Sequence, residues 1–125
     1  MHEYHRGATL SIWLRPGAQE TWQAAEADVP PNRAACLTQF RARIAHLAET
    51  GKLQSPDHMN HEDHGIYAIK ATCGLRAYGW HDHHHGRRAF IISHVILKKR
   101  NKLNPADRKR AENAREQFRA EQRRA

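Results

Sequence analysis

The chain has 125 residues, enough for one domain spanning 1–125 with a hydrophobic core that needs no metal or disulfide staple. Lys and Arg number 21 against 13 Asp and Glu, a formal net charge of +8 at pH 7. That excess favours polyanionic partners, either nucleic acid or an acidic protein, because neutralising phosphates releases their counterions.

No apolar run approaches the roughly 20 residues of a membrane span. Met1 is followed by a polar segment without an apolar leader, so the expected address is the cytoplasm and no membrane partner is expected. Cys36 and Cys73 stand alone without CxxC spacing and are expected to be reduced.

Residues 8–15 alternate, with Leu10, Ile12 and Leu14 on one side, and predict a strand that ends at Pro16-Gly17. Residues 18–28 favour a helix with Trp22, Ala25 and Val29 inward, stopped by Pro30-Pro31. Asn32 is a candidate cap for a second helix over 33–50, where Leu37, Phe40, Ile44 and Leu47 recur at helical spacing and Gly51 suits the end. A polar, His-rich connection is expected over 52–65.

Strands are then expected at 66–70, at 75–82 with Arg76, Tyr78 and Trp80 on one face, and at 88–97, the most apolar stretch. His83-His84-His85-Gly86 reads as the turn between the last two. Asn104-Pro105-Ala-Asp107 announces a final helix over 105–122, whose stripe of Ala111, Ala114 and Phe118 is so thin that partial mobility or a covering partner is expected. The fold class is α+β, in the order β-α-α-β-β-β-α, with an antiparallel-rich sheet packed by two N-terminal helices and followed by a C-terminal helix.

Three groupings bear on chemistry. If the last three strands pair as a meander, Lys70, Arg76, Tyr78 and His94 converge. Cleavage of RNA by its own 2′-OH needs a base for the hydroxyl proton, cations for the charge growing on phosphate, and an acid for the leaving 5′-oxygen. His94 titrates near neutrality, Lys70 among other cations is a candidate base, Arg76 can fork onto phosphate, and Tyr78 can stack on a base or orient the hydroxyl. Arg87, Arg88, Lys98, Lys99, Arg100 and Lys102 are candidate phosphate contacts around them.

The second grouping is His81-Asp82-His83-His84-His85, with His58, His61 and His64 upstream. His81, His83 and His85 are weak metal candidates, because the set follows no ligand spacing, and a hydrophilic turn is the plainer reading. The third is the charged C-terminal helix, read first as a solvated face with Arg108 and Glu112 spaced for an i,i+4 pair.

The stretch from Ile66 to Asn113 resembles the RelE/ParE superfamily of toxin–antitoxin toxins, in particular its HigB-like, phage-associated branch. The resemblance is carried by Ile66-Tyr67-Ala68-Ile69-Lys70, Leu75-Arg76-Ala77-Tyr78, the apolar Ala89–Ile92, Ser93-His94, Lys98-Lys99, and the entry through Asn104-Pro105 into a charged helix. It implies a four-stranded sheet packed by two N-terminal helices and ribosome-associated cleavage of mRNA without metal or other cofactor. It also implies neutralisation by a helix-turn-helix antitoxin. Lys70 and Arg76 match the family's basic sheet positions, and His94 and Lys98-Lys99 match a His and the lysine pair after it. Val95-Ile96 after His94, Arg100 and the long His-rich turn depart from the family pattern. Two other readings stay open: a non-catalytic nucleic-acid- or partner-binding module on the same fold, and a ParE-like gyrase inhibitor.

Overall fold

The computed structural model describes residues 1–99 and 105–124. The chain runs β1 (His2–Arg6), β2 (Ser11–Leu14), α1 (Ala18–Ala27), a 3-10 turn (Pro31–Arg33), α2 (Ala35–Thr50), β3 (Met59–His61), β4 (Tyr67–Lys70), β5 (Leu75–His84), β6 (Arg87–Leu97) and α3 (Pro105–Arg124). The strands form one mixed six-stranded sheet in the order β1-β2-β6-β5-β4-β3. β2 lies parallel to β6, and the other neighbours are antiparallel.

The four expected strands are therefore present as β2, β4, β5 and β6. β1 and β3 add to them at the two edges, and neither has a sequence signal of its own. His-Glu-Tyr-His-Arg has no apolar face, and Met59–His61 is three residues long with one apolar side chain. Short, polar strands are what a sheet edge tolerates.

The second helix begins later than expected. Asn32 sits in the 3-10 turn, and Ala34 precedes α2 without a side-chain cap. Gly51 closes α2 in the left-handed region at φ 80°, the geometry that glycine adopts without strain. The His-rich turn is also shorter than expected. His83 and His84 belong to β5, and only His85 and Gly86 turn, with φ 52° and 75°, the sign pattern of a type I′ hairpin.

Two apolar layers sandwich the sheet. On one face α1 and α2 bring Trp22, Phe40, Ile44 and Leu47 onto Leu10, Ile12, Ile69, Phe90 and Ile92. On the other, α3 sets Ala111 and Phe118 against Ile66, Tyr78, Trp80 and Ile91. The thin stripe of the C-terminal helix is thus completed within the chain and not left open for a partner.

The expectation for the cysteines is overturned. Cys36, at the start of α2, and Cys73, in the β4–β5 turn, form a disulfide with their Cα atoms 6.0 Å apart. They are 37 residues apart in sequence, and only the packing of α2 on the sheet brings them together, so no local spacing could reveal the pair.

Candidate functional site

The geometry of the site starts from a register shift. In β5 and β6, Tyr78 pairs with His94, but Gly79 pairs with Ile92, so Ser93 is an extra residue in β6. Such a bulge re-aims the side chains beyond it. Ile92 faces the α1/α2 layer and Ile91 the α3 layer, and after the bulge His94 and Ile96 point to the α3 side while Val95 returns to the other. Gly79 makes the close approach possible: a Cβ there would lie 2.2 Å from the carbonyl oxygen of Ile91.

The four residues named from the sequence share this face as two cross-strand pairs. Lys70 on β4 pairs with Arg76 on β5, and Tyr78 on β5 pairs with His94 on β6. The Tyr78 and His94 rings stack, 5.2 Å between centroids and 11° between planes. The sheet brings the set together, but each member is already engaged. Lys70 Nζ donates to the Pro56 carbonyl (3.2 Å), and Arg76 Nη1 donates to the carbonyls of Ala71 and Leu75 (3.2 and 3.0 Å).

His94 is fully buried at 0% exposure, with both ring nitrogens occupied. Nε2 lies 2.9 Å from Asp107 Oδ1 of α3, and Nδ1 lies 2.9 Å from Ser93 Oγ. Burial lowers its pKa, outweighing the hydrogen bond to Asp107, so the ring is neutral at pH 7. In that state Nε2–H donates to Asp107, and Nδ1 accepts from the Ser93 hydroxyl. Tyr78 is pushed up to about 12, first by burial and then by the charges of Asp107 and Glu62, so it stays a phenol that can donate its proton. Burial also lowers the Arg76 pKa, yet a guanidinium remains charged throughout the physiological range. Asp107, which holds His94 from another element, and Ser93, which makes the bulge, are the two participants that the sequence reading missed.

Among the described residues the wider basic set does not converge. Lys98 and the exposed Lys99 follow β6 at its far end, where Lys98 lines a groove of about 460 Å³ with Tyr78, His61, Glu62, Asp63 and Arg108. Arg87 and Arg88 sit at the hairpin end of the same strand, about 33 Å away at 3.3 Å per residue. Arg87 donates to the Gly7 carbonyl (2.8 Å), and Arg88 is exposed. Arg100 and Lys102 lie outside the described residues, as does the expected cap Asn104.

The groove beside Tyr78 has mixed charge, since Asp63 and Glu112 lie 3.7 and 3.6 Å from Arg108. Among the described residues no three His, Cys, Asp or Glu side chains gather as metal ligands. His81 and His83 are exposed on β5, and His85 occupies the turn.

A half-buried ion pair also ties α3 to this face. Arg15, at the end of β2, is 8% exposed and forks onto Glu121 through Nη1 and Nη2 (2.9 and 3.1 Å). The same guanidinium carbon lies 5.9 Å from the Phe118 ring centre, and its hydrogen bonds hold the Glu121 carboxyl below the usual range. The chain matches no protein-family model and no curated protein.

Proposed function

We propose that this protein binds RNA and cuts it, as a toxin of the RelE/HigB kind that acts on mRNA at the ribosome and is neutralised by a helix-turn-helix antitoxin. The observation that carries this reading is the placement of Lys70, Arg76, Tyr78 and His94 at paired positions of three adjacent strands on one face. The net charge of +8 adds the long-range attraction that a polyanion needs. Four of the six strands, in the order β2-β6-β5-β4 with α1 and α2 on one side, support the reading, while β1 and β3 lie beyond the four-stranded sheet that the resemblance implies.

In this chemistry the 2′-OH of the RNA is the nucleophile, and no metal takes part. Lys70, acting as the free amine, accepts its proton and becomes the ammonium, Arg76 holds the phosphate oxygens, and Tyr78, protonated at neutral pH, supplies the proton for the leaving 5′-oxygen. His94, shut off from solvent, acts as a positioning residue that fixes the Tyr78 ring by stacking.

Expression in cells tests the reading: growth stops with the wild-type chain and continues with Lys70→Ala/Arg76→Ala/His94→Ala. Retained toxicity of that variant removes these residues from the site.

The burial of Tyr78 and His94 under α3 favours a second reading, a non-catalytic RNA-binding module on the same fold. It predicts salt-sensitive RNA binding with no cleavage on translating ribosomes. DNA-damage signalling without mRNA loss would instead point to gyrase as the target.

A further inference from the structure

The face that carries Tyr78 and His94 is the one covered by α3, and the cover is of an unusual kind. Over 20 residues α3 buries only Ala111 and Phe118. Polar contacts add to this hold, one a hydrogen bond to the neutral His94 ring and the others ion pairs. Asp107 takes His94, Glu121 takes Arg15, and Arg119 reaches Asp82 at 3.4 Å. What lies beneath is a row of rings, Tyr78, Trp80 and His94, with Arg15 and Arg76 beside it. Aromatic rings flanked by cations make the surface on which single-stranded nucleic acid stacks its bases and rests its phosphates. Asp107 and Glu121 put carboxylates on two groups of that surface that would otherwise be free to take phosphate oxygens.

We propose that α3 is an intramolecular competitor of RNA. Its carboxylates occupy the anion positions of the Tyr78–Trp80–His94 face, so RNA reaches that face only when α3 leaves it. The inference rests on the RNA reading above and adds its regulation. The apparent affinity for RNA is then the intrinsic affinity of the open face reduced by the small fraction of molecules in which α3 is displaced. Anything that binds α3 off the sheet raises that fraction.

Two full-length variants weaken the hold differently. Glu121→Gln/Phe118→Ala removes one carboxylate and the buried ring, and Asp107→Asn/Glu121→Gln keeps every side-chain volume and removes only charge. A labelled 12-nucleotide single-stranded RNA, titrated at fixed salt, should bind both variants on the order of tenfold more tightly than wild type. In the wild-type protein, saturation with that RNA should speed amide hydrogen exchange across α3 while α1 and α2 keep their protection.

Unchanged or weaker RNA binding by the two variants overturns the proposal, as does α3 protection that RNA leaves intact or increases. Cleavage of the same RNA, followed in parallel, separates the two ideas. Tighter binding without cleavage on translating ribosomes leaves the competitor and removes the nuclease. Equal cleavage by wild type and variants keeps the nuclease and removes the competitor.

Discussion

Tyr78 and His94 lie face to face across β5 and β6 because Ser93 is an extra residue in β6 that turns His94 away from Ile92 and toward α3. The pair is buried, and a carboxylate from α3 fixes it, so the rings hold one arrangement. His94→Ala should therefore cost about 3 kcal/mol of stability, combining a cavity with the loss of hydrogen-bond partners for Asp107 and Ser93. Urea unfolding of the purified variant checks this, and a loss under 1 kcal/mol would show that the ring is not held as described.

Acid should weaken the fold in a definite window. Burial lowers the pKa of His94 and also that of His84, so the unfolded chain, whose imidazoles titrate near 6.5, binds protons that the folded chain refuses. Stability is then fully present above about pH 6.5 and falls as the pH drops through the interval below it. The thermal midpoint at pH 5 should be lower than at pH 7, and His94→Gln should flatten that slope. A rise in stability on the acid side would show that these imidazoles are not held neutral by burial.

Gly79→Ala should destabilise by about 2 kcal/mol or more, although alanine is small. The added methyl would stand 2.2 Å from the Ile91 carbonyl oxygen and 2.8 Å from the Phe90 ring, so the strand pair must open at the bulge. NMR shifts of the His94 ring should move in the same variant. Wild-type stability with unmoved His94 signals would separate the glycine from the bulge.

The Cys36–Cys73 disulfide closes a loop of 37 residues between α2 and the β4–β5 turn. On chain-entropy grounds the link is worth about 4 kcal/mol. Reductant should lower the thermal midpoint of the wild type and leave Cys36→Ser/Cys73→Ser unmoved at the reduced wild-type value. Equal midpoints with and without reductant would show that the link adds nothing.

These residues also mark how far the sequence could be read. Alternation revealed Leu10-Ile12-Leu14, and glycine turns bounded β5 and β6, because those signals are local. The run from Ala89 to Leu97 is apolar on both faces, so it offers no alternation from which a bulge at Ser93 could be noticed. Simple parity would have set His94 on the same side as Phe90 and Ile92; the convergence with Tyr78 depends on that one extra residue. Asp107, Glu121 and Cys73 meet their partners across 13, 106 and 37 residues, distances at which only tertiary packing decides. The charged look of α3 hid a covering role, because its two buried contacts, Ala111 and Phe118, are spread over two turns of otherwise polar helix.

Mapping transcript 5′ ends genome-wide shortly after inducing the protein tests most directly the proposal that this face cuts RNA. New 5′ ends are expected inside translated reading frames with the wild-type chain, and their loss with Lys70→Ala/Arg76→Ala/His94→Ala. Transcript ends that stay unchanged while the wild-type protein accumulates and growth stops would contradict it.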